Sequence, residues 1–333
     1  MSHPASPVPL VEIWRGPLAE SRHTGHAVIC DEAGGIVEAW GDPDALILPR
    51  SSSKMIQALP LVESGAGDHL SSEQLALACA SHSGAPAHTS RVAAWMADMG
   101  LSDADFRCGP QMPMGEAARD EMIRAGETPC QVHNNCSGKH AGFLTLARHL
   151  GAGPEYVEPD HPVQRACLAA FEEVTGETSP GYGIDGCSAP NHASTLLGMG
   201  RAMAAYAAAT EGGDARKAAM VRLREAMMAH PDLVAGEGRA CTELMRACSE
   251  PVALKTGAEG FYIAIIPGRR MGIALKITDG ATRAAECVIA TLLVRLGVLE
   301  PDHPTARKFM CPEILNFRKI VTGEIRPAPQ LLA

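Results

Sequence analysis

The apolar positions change their period twice along the chain. From residue 10 they alternate with polar ones, as a half-buried strand requires. Leu10-Val11-Glu12-Ile13-Trp14-Arg15 runs into Gly16-Pro17. His26-Ala27-Val28-Ile29-Cys30 is followed by turn residues, Asp31 to Gly35, and then by Ile36-Val37-Glu38-Ala39-Trp40. That is the pattern of an antiparallel hairpin or meander, with His23 and His26 facing solvent. A short apolar run, Ala45-Leu46-Ile47-Leu48, stops at Pro49. Between about 55 and 250 the period becomes helical. It predicts helices over 55–63, 72–80, 89–99, 115–125, 139–150, 162–175, 192–210, 213–229 and 241–248. Ser71-Ser72-Glu73 and Pro162 are start signals for two of them. The strand signal then returns in 252–255, 260–266 and 271–277, followed by a helix over 281–296 and a short edge strand near 320–324.

Strands, a long helical stretch, strands and a helix predict an α+β protein in a two-lobe α/β arrangement. The sheet lobe takes about 8–50 and 252–300, and the helical lobe about 55–250. The sheet is antiparallel with the 281–296 helix packed on it, and 1–333 forms a single catalytic unit. Aromatics are only 4% of the chain, so Ala, Leu, Val, Ile and Met must fill the core. A formal charge of -9 and the lack of a basic stripe argue against nucleic acid. The first residues carry no charged and apolar leader pattern, and no run is long enough to cross a membrane, so a cytoplasmic location is expected. The 11 cysteines are odd in number and scattered, which fits buried thiols and a metal site better than a disulfide framework.

The chemistry starts at Arg50-Ser51-Ser52-Ser53-Lys54. If a helix opens near Ser51, Ser51 and Lys54 are one turn apart and share a face. A neutral lysine can then remove the serine proton and make an acyl-transfer nucleophile. The plainer reading is a set of capping serines before a surface lysine. Lys255-Thr256-Gly257, at a strand start, has the form of the partner such a serine uses: charge and hydroxyl hold a carboxylate, and glycine admits the ligand. The loop Ser81-His82-Ser83-Gly84 offers Ser83 as a second nucleophile, a ligand or a relay. In His133-Asn134-Asn135-Cys136-Ser137-Gly138-Lys139-His140, Cys136 and Lys139 lie three apart at a helix start. Cys187 sits in a second polar loop, Asp185-Gly186-Cys187-Ser188-Ala189-Pro190. Two thiolates with such neighbours can hold zinc, but buried structural cysteines are the alternative, and lysine is a rare ligand. His88 shows no clustered partner, and no phosphate-binding glycine motif follows a strand.

These blocks, with Cys79-Ala80 before Ser81 and Lys255-Thr256-Gly257-Ala258-Glu259-Gly260, together resemble the Rhizobium etli-type (class 3) L-asparaginases from about residue 8 to 300. The resemblance implies an architecture like serine β-lactamases, penicillin-binding proteins and serine glutaminases. It implies hydrolysis of L-asparagine to L-aspartate and ammonia, and a homodimer. It implies two serine–lysine tandems, Ser51 with Lys54 and Ser83 with Lys255, and a zinc site from Cys136, Lys139 and Cys187. Arg50, His133, Asn134, Asp185, Cys241 and Thr256 are the expected substrate-binding residues. The rival functions are a serine glutaminase or penicillin-recognising acyl enzyme of the same fold, a zinc-dependent amidohydrolase, and a non-catalytic amino-acid binding protein.

Overall fold

Residues with strand periodicity gather in one antiparallel sheet, and the chain is α+β. The structure, a computed structural model, describes residues 6–333. The expectation about a leader rests partly on residues 1–5, which lie outside the described residues. Among the described residues no helix is long and apolar enough to cross a membrane. The chain falls into two compact units. The first runs to Ser52 and then takes Ser194–Ala208 and Glu243–Ala333; the second holds Ser53–Ala193 and Ala209–Thr242.

In the first unit the strand order is Glu313–Leu315, Val321–Pro327, Val8–Arg15, Leu18–Cys30, Met271–Ile277, Phe261–Ile266 and Ala253–Thr256. The strand Leu18–Cys30 is far longer than the 26–30 run the periodicity predicts, because its first residues form an exposed polar ribbon. That half pairs with Val8–Arg15; the buried half pairs with Ile36–Trp40 and, on its other side, with Met271–Ile277. All six residues of Phe261–Ile266 are buried. Successive side chains point to opposite faces, so both faces of this strand are covered. The helices Leu196–Ala208 and Thr282–Arg295 both pack against it and supply the cover. Each Ile or Leu buried there contributes about 1.5–3 kcal/mol of transfer free energy.

Several expectations change here. The 192–210 helix begins only at Leu196, because Pro190–His192 and Ser194–Thr195 are strands, and it packs on the sheet. The strand expected near 320–324 is Val321–Pro327, and the edge lies one strand further out, at Glu313–Leu315. His23 and His26 are buried, not solvent-facing. His23 Nδ1 meets Asp279 Oδ2 at 2.6 Å, and His26 Nδ1 accepts from Asp42 N–H at 2.8 Å, which satisfies both rings off the surface.

The second unit is mainly helical. The predicted 55–63 helix is two pieces, Lys54–Gln57 and Leu59–Glu63. Pro60 has no N–H for the carbonyl one turn back, so the ladder breaks at Ala58. The helix Ser72–Ala78 starts from a full capping box, Ser71 with Gln74. The helix Ser137–His149 is buried from Ser137 to Ala147 and packs against its neighbours, Ser72–Ala78 among them. Gly138 allows that contact: a Cβ there would lie 2.3 Å from the Leu77 carbonyl oxygen. The close approach carries Cys136 and Lys139 to the residues that follow the Ser72–Ala78 helix.

Candidate active site

In the first unit, a 3₁₀ turn over Arg50–Ser53 sits against the end of the strand Ala253–Thr256. Arg50 adopts a left-handed φ of 52°, and Ser52 N–H closes the turn on the Pro49 carbonyl at 3.0 Å. Ser52 Oγ then donates to the Lys255 carbonyl at 2.8 Å. Ser52 is therefore the tie, and Ser51 is left half-buried beside it. Lys255 is 1% exposed, and its Nζ donates to the Thr256 carbonyl at 2.8 Å. Gly257 lets the turn come close: a Cβ there would lie 2.5 Å from the Pro49 oxygen and 3.1 Å from Ser52 Oγ. Gly257→Ala is expected to push the turn away. Catalytic misplacement of that size costs about 100-fold in kcat, with about 1–3 kcal/mol of stability lost to overpacking. Steady-state rates beside a urea unfolding curve test this.

In the second unit, Lys54 is 1% exposed. Its Nζ donates to the Ala80 carbonyl, to Ser81 Oγ at 2.9 Å and to Cys136 Sγ at 3.1 Å. The sequence reading pairs Lys54 with Ser51; within this unit its hydroxyl partner is Ser81, which that reading passed over. The only sequence signal for Ser81 was its place in the Ser81–Gly84 loop.

That loop is pinned at each residue. Ser81 N–H donates to the Val234 carbonyl, His82 N–H to the Asn135 carbonyl, and Gly115 N–H to the Ser83 carbonyl. Ser137 gives its hydroxyl hydrogen to the Val132 carbonyl, so it accepts from His82 Nε2–H at 2.9 Å. His82 Nδ1 accepts from Gly84 N–H at 3.1 Å, which fixes a neutral tautomer. His88, expected to stand alone, stacks on His82 with centroids 4.9 Å apart. Ser83 is buried, and a Cβ on Gly236 would lie 2.6 Å from its Oγ.

Burial, reinforced by the charges of His88 and Lys54, holds His82 well below the ordinary histidine range. Burial also lowers His88, against the Asp232 carbonyl. Both rings stay neutral in the folded chain but become protonated in the unfolded chain below about pH 6.5. Their contribution is present above that pH and is lost as pH falls toward the depressed folded values, by up to about 1.4 kcal/mol per pH unit for each ring. The urea midpoint is therefore expected to fall between pH 7.5 and 5.5, and His88→Phe, which keeps the stack, to flatten part of that slope.

Cys136, Lys139 and Cys187 are brought together in this unit, all buried. Lys139 Nζ donates to Cys187 Sγ at 3.1 Å. The hydrogen bond from Cys136, strengthened by Lys139, holds the Cys187 thiol well below its ordinary value despite burial. The same bond, with burial, holds Cys136 well above. Asn135 Oδ1 also accepts from Cys136 Sγ at 2.8 Å. Burial disfavours charge on Lys139, but the two sulfurs and Asp185 outweigh it and raise its pKa. Asp185 lies in the same loop as Cys187 and takes Gly186 N–H on its Oδ1.

The donor set suits a soft divalent ion such as zinc, because two sulfurs and an amine converge away from water. A second observation agrees. Tyr156 accepts from Arg107 N–H, so it gives its hydrogen to His140 Nδ1 at 2.9 Å and leaves the proton on Nε2. That buried Nε2–H has no well-directed partner and stands beside Cys187, whose charge raises the His140 pKa against burial. Such a donor steadies a sulfur ligand. Among the described residues no group of three His, Cys, Asp or Glu side chains gathers at one point, and a third donor beside the two sulfurs would be Lys139.

The expected substrate residues divide. Asn134 gives both amide hydrogens to the Cys108 and Gly109 carbonyls and takes Cys136 N–H on its oxygen, so it holds the loop under Cys136. His133 Nδ1 caps its own turn, accepting from Cys130 N–H at 3.1 Å. Cys241 is buried at 1% exposure near Thr242, which ties down the Pro231 and Gly236 carbonyls. Arg50 and Thr256 lie in the first unit, at the turn and strand end already described.

A family model of L-asparaginase II matches residues 11–327. The chain belongs to the L-asparaginase II family. No curated protein matches it. Among solved structures it is similar to Mglu in its tris and glutamate form, at 14% identity and a TM-score of 0.45 over 90% of this chain and 64% of that one. It thus spans less than two thirds of that protein's length. It is similar also to the octameric penicillin-binding protein homologue from Pyrococcus abyssi, at 14% identity, a TM-score of 0.37, and 84% and 75% coverage. A β-lactamase from Mycobacterium bovis follows at 11% identity, a TM-score of 0.34, and 83% and 95% coverage. Nothing further rests on likenesses this distant.

Proposed function

We propose that the protein hydrolyses L-asparagine to L-aspartate and ammonia through a β-aspartyl ester on Ser51. The family match over residues 11–327 carries the reading. It is supported by the turn that ties Ser52 to Lys255 and leaves Ser51 beside that tie. Lys54, as a free amine, takes the Ser51 proton while Ala80 and Ser81 keep its nitrogen in place. Ser51 Oγ bonds to the side-chain amide carbon, the carbon–nitrogen bond breaks, and ammonia leaves with the proton that Lys54 had taken, relayed through Ser83 and Lys255. Water then cleaves the ester and returns the proton to Ser51. Arg50 and Thr256 hold the substrate carboxylate, and Asp185 its amine. Asn134 acts by positioning Cys136.

Cys136, Lys139 and Cys187 are the proposed zinc ligands, the sulfurs as thiolates and the lysine as amine. When bound, the ion supplies a fixed positive charge that orients polar substrate groups. The test is mass spectrometry of protein quenched during turnover, with zinc measured by elemental analysis of wild type and Cys187→Ser. One aspartyl adduct on the Ser51 peptide is expected, and zinc only in wild type. An adduct on Ser83, or ammonia release with no adduct, overturns the nucleophile. Faster release from glutamine, or hydrolysis of a β-lactam, overturns the substrate.

A further inference from the structure

Lys276 is a half-buried cation of the first unit that stands outside the catalytic set. It lies near the end of the strand Met271–Ile277, and the register fixes its face. Lys255 pairs with Ile263 and Ile263 with Ala274, while Phe261 pairs with Lys276. Successive residues of a strand alternate between faces. Lys255 and Lys276 therefore share one face of the sheet, one pleat apart. Gly257, whose N–H donates to the Phe261 carbonyl at 2.7 Å, ends the row that holds Phe261 and Lys276. The Arg50–Ser53 turn rests against that same Gly257. The row thus runs from Lys276 to the turn that carries Arg50 and Ser51.

The chain leaves this charge largely unanswered. Lys276 Nζ makes one hydrogen bond, to the Glu259 carbonyl, and no ion pair among the described residues. An ammonium group has three donors, so two remain. Its neighbours in the row are Phe261 and His26, and burial holds His26 below the ordinary histidine range, so that ring stays neutral. The nearby acids are engaged elsewhere. Asp279 meets His23 and takes Ala281 N–H. The Glu259 carboxylate lies over Gly280, where a Cβ would be 2.8 Å from its Oε2. Burial lowers the Lys276 pKa; Glu259 and Asp279 oppose this, and the charge of Arg50 adds to it. Two cations so placed, one with donors to spare, suit an incoming carboxylate.

We propose that Lys276 selects for a free α-carboxylate on the substrate, binding one carboxylate oxygen while Arg50 takes the other. Lys276 has this role on the asparaginase reading, in which Arg50 and Thr256 hold that carboxylate, and two measurements keep the two separable. Steady-state rates compare L-asparagine with L-asparaginamide, whose α-carboxylate is replaced by a neutral amide. Calorimetry follows the binding of L-aspartate, which needs no turnover. Lys276→Met is expected to raise KM for asparagine about tenfold or more with kcat within about twofold of wild type, the mark of lost uniform binding. Aspartate binding is expected to weaken to the same extent, and the kinetics on asparaginamide to stay unchanged. Lys276→Arg keeps the charge and is expected to recover most of the affinity. Aspartate binding that weakens in Lys276→Met, in a protein that releases no ammonia from asparagine, supports the subsite and overturns the asparaginase reading. Equal losses on asparagine and asparaginamide reduce Lys276 to a tie for the Glu259 loop and overturn the proposal. Unchanged aspartate binding in Lys276→Met, or none in wild type, overturns it as well.

Discussion

Ser51→Ala loses about 10⁴-fold or more in kcat, the scale expected when the nucleophile of a covalent mechanism is removed. Stability is expected to hold. Ser51 is half-buried and its side chain makes no hydrogen bond among the described residues, so no partner is orphaned. The neighbouring Ser52→Ala is the contrast. It removes the bond to the Lys255 carbonyl, and is expected to cost about 1 kcal/mol, with a smaller loss of kcat as the turn loosens. Ser83→Ala is expected to retain acylation and slow release of ammonia. Stopped-flow bursts and melting curves on the three variants separate nucleophile, tie and relay. A normal burst in Ser51→Ala would remove Ser51 from the role.

The contrast between Ser51 and Ser52 also shows what the sequence could say about this site. Ser-x-x-Lys is readable as a motif, and so is Lys255-Thr256-Gly257, because each is a local string at the border of an element. The bond from Ser52 to a carbonyl about two hundred residues away is not readable. It depends on how closely two backbones approach, and that is set by the missing Cβ of Gly257. Ser81 was hidden for the same reason. Its tie to Lys54 joins residues 27 apart that no local string connects. His88 looked isolated because stacking partners six residues apart across a loop leave no periodic trace.

Fold was more legible than site wherever a run of apolar residues has strand or helix length and turn residues bound it. The alternating runs at 10–15 and 36–40, and the apolar runs at 261–266 and 271–277, became strands at nearly the expected bounds. The long helices 162–175 and 281–296 held within a residue or so for the same reason. The polar half of Leu18–Cys30 and the short pairs, Tyr182–Ile184 with Pro190–His192 and Leu46–Ile47 with Ser194–Thr195, carry no such pattern. Their pairing depends on partners distant in sequence.

Lys54→Met is the second large effect, and it separates catalysis from scaffolding. Methionine fills similar volume without donors. The Ala80 carbonyl, Ser81 Oγ and Cys136 Sγ each lose their hydrogen bond in a buried place. The net loss of stability is expected to be about 1–3 kcal/mol. The loss of kcat is expected to match that of Ser51→Ala, because a serine without its base and a base without its serine are equally idle. The double variant then distinguishes two accounts of Lys54. If Ser51 and Lys54 act as one unit, Ser51→Ala with Lys54→Met is no slower than either alone, the non-additivity of a catalytic pair. If Lys54 serves only to hold Ser81 and Cys136, the two losses multiply, and the base must be sought elsewhere. Ser81→Ala places its own role between these limits: it leaves Lys54 two of three contacts, so a kcat loss well short of that in Lys54→Met, with KM unchanged, marks Ser81 as the residue that aims the amine.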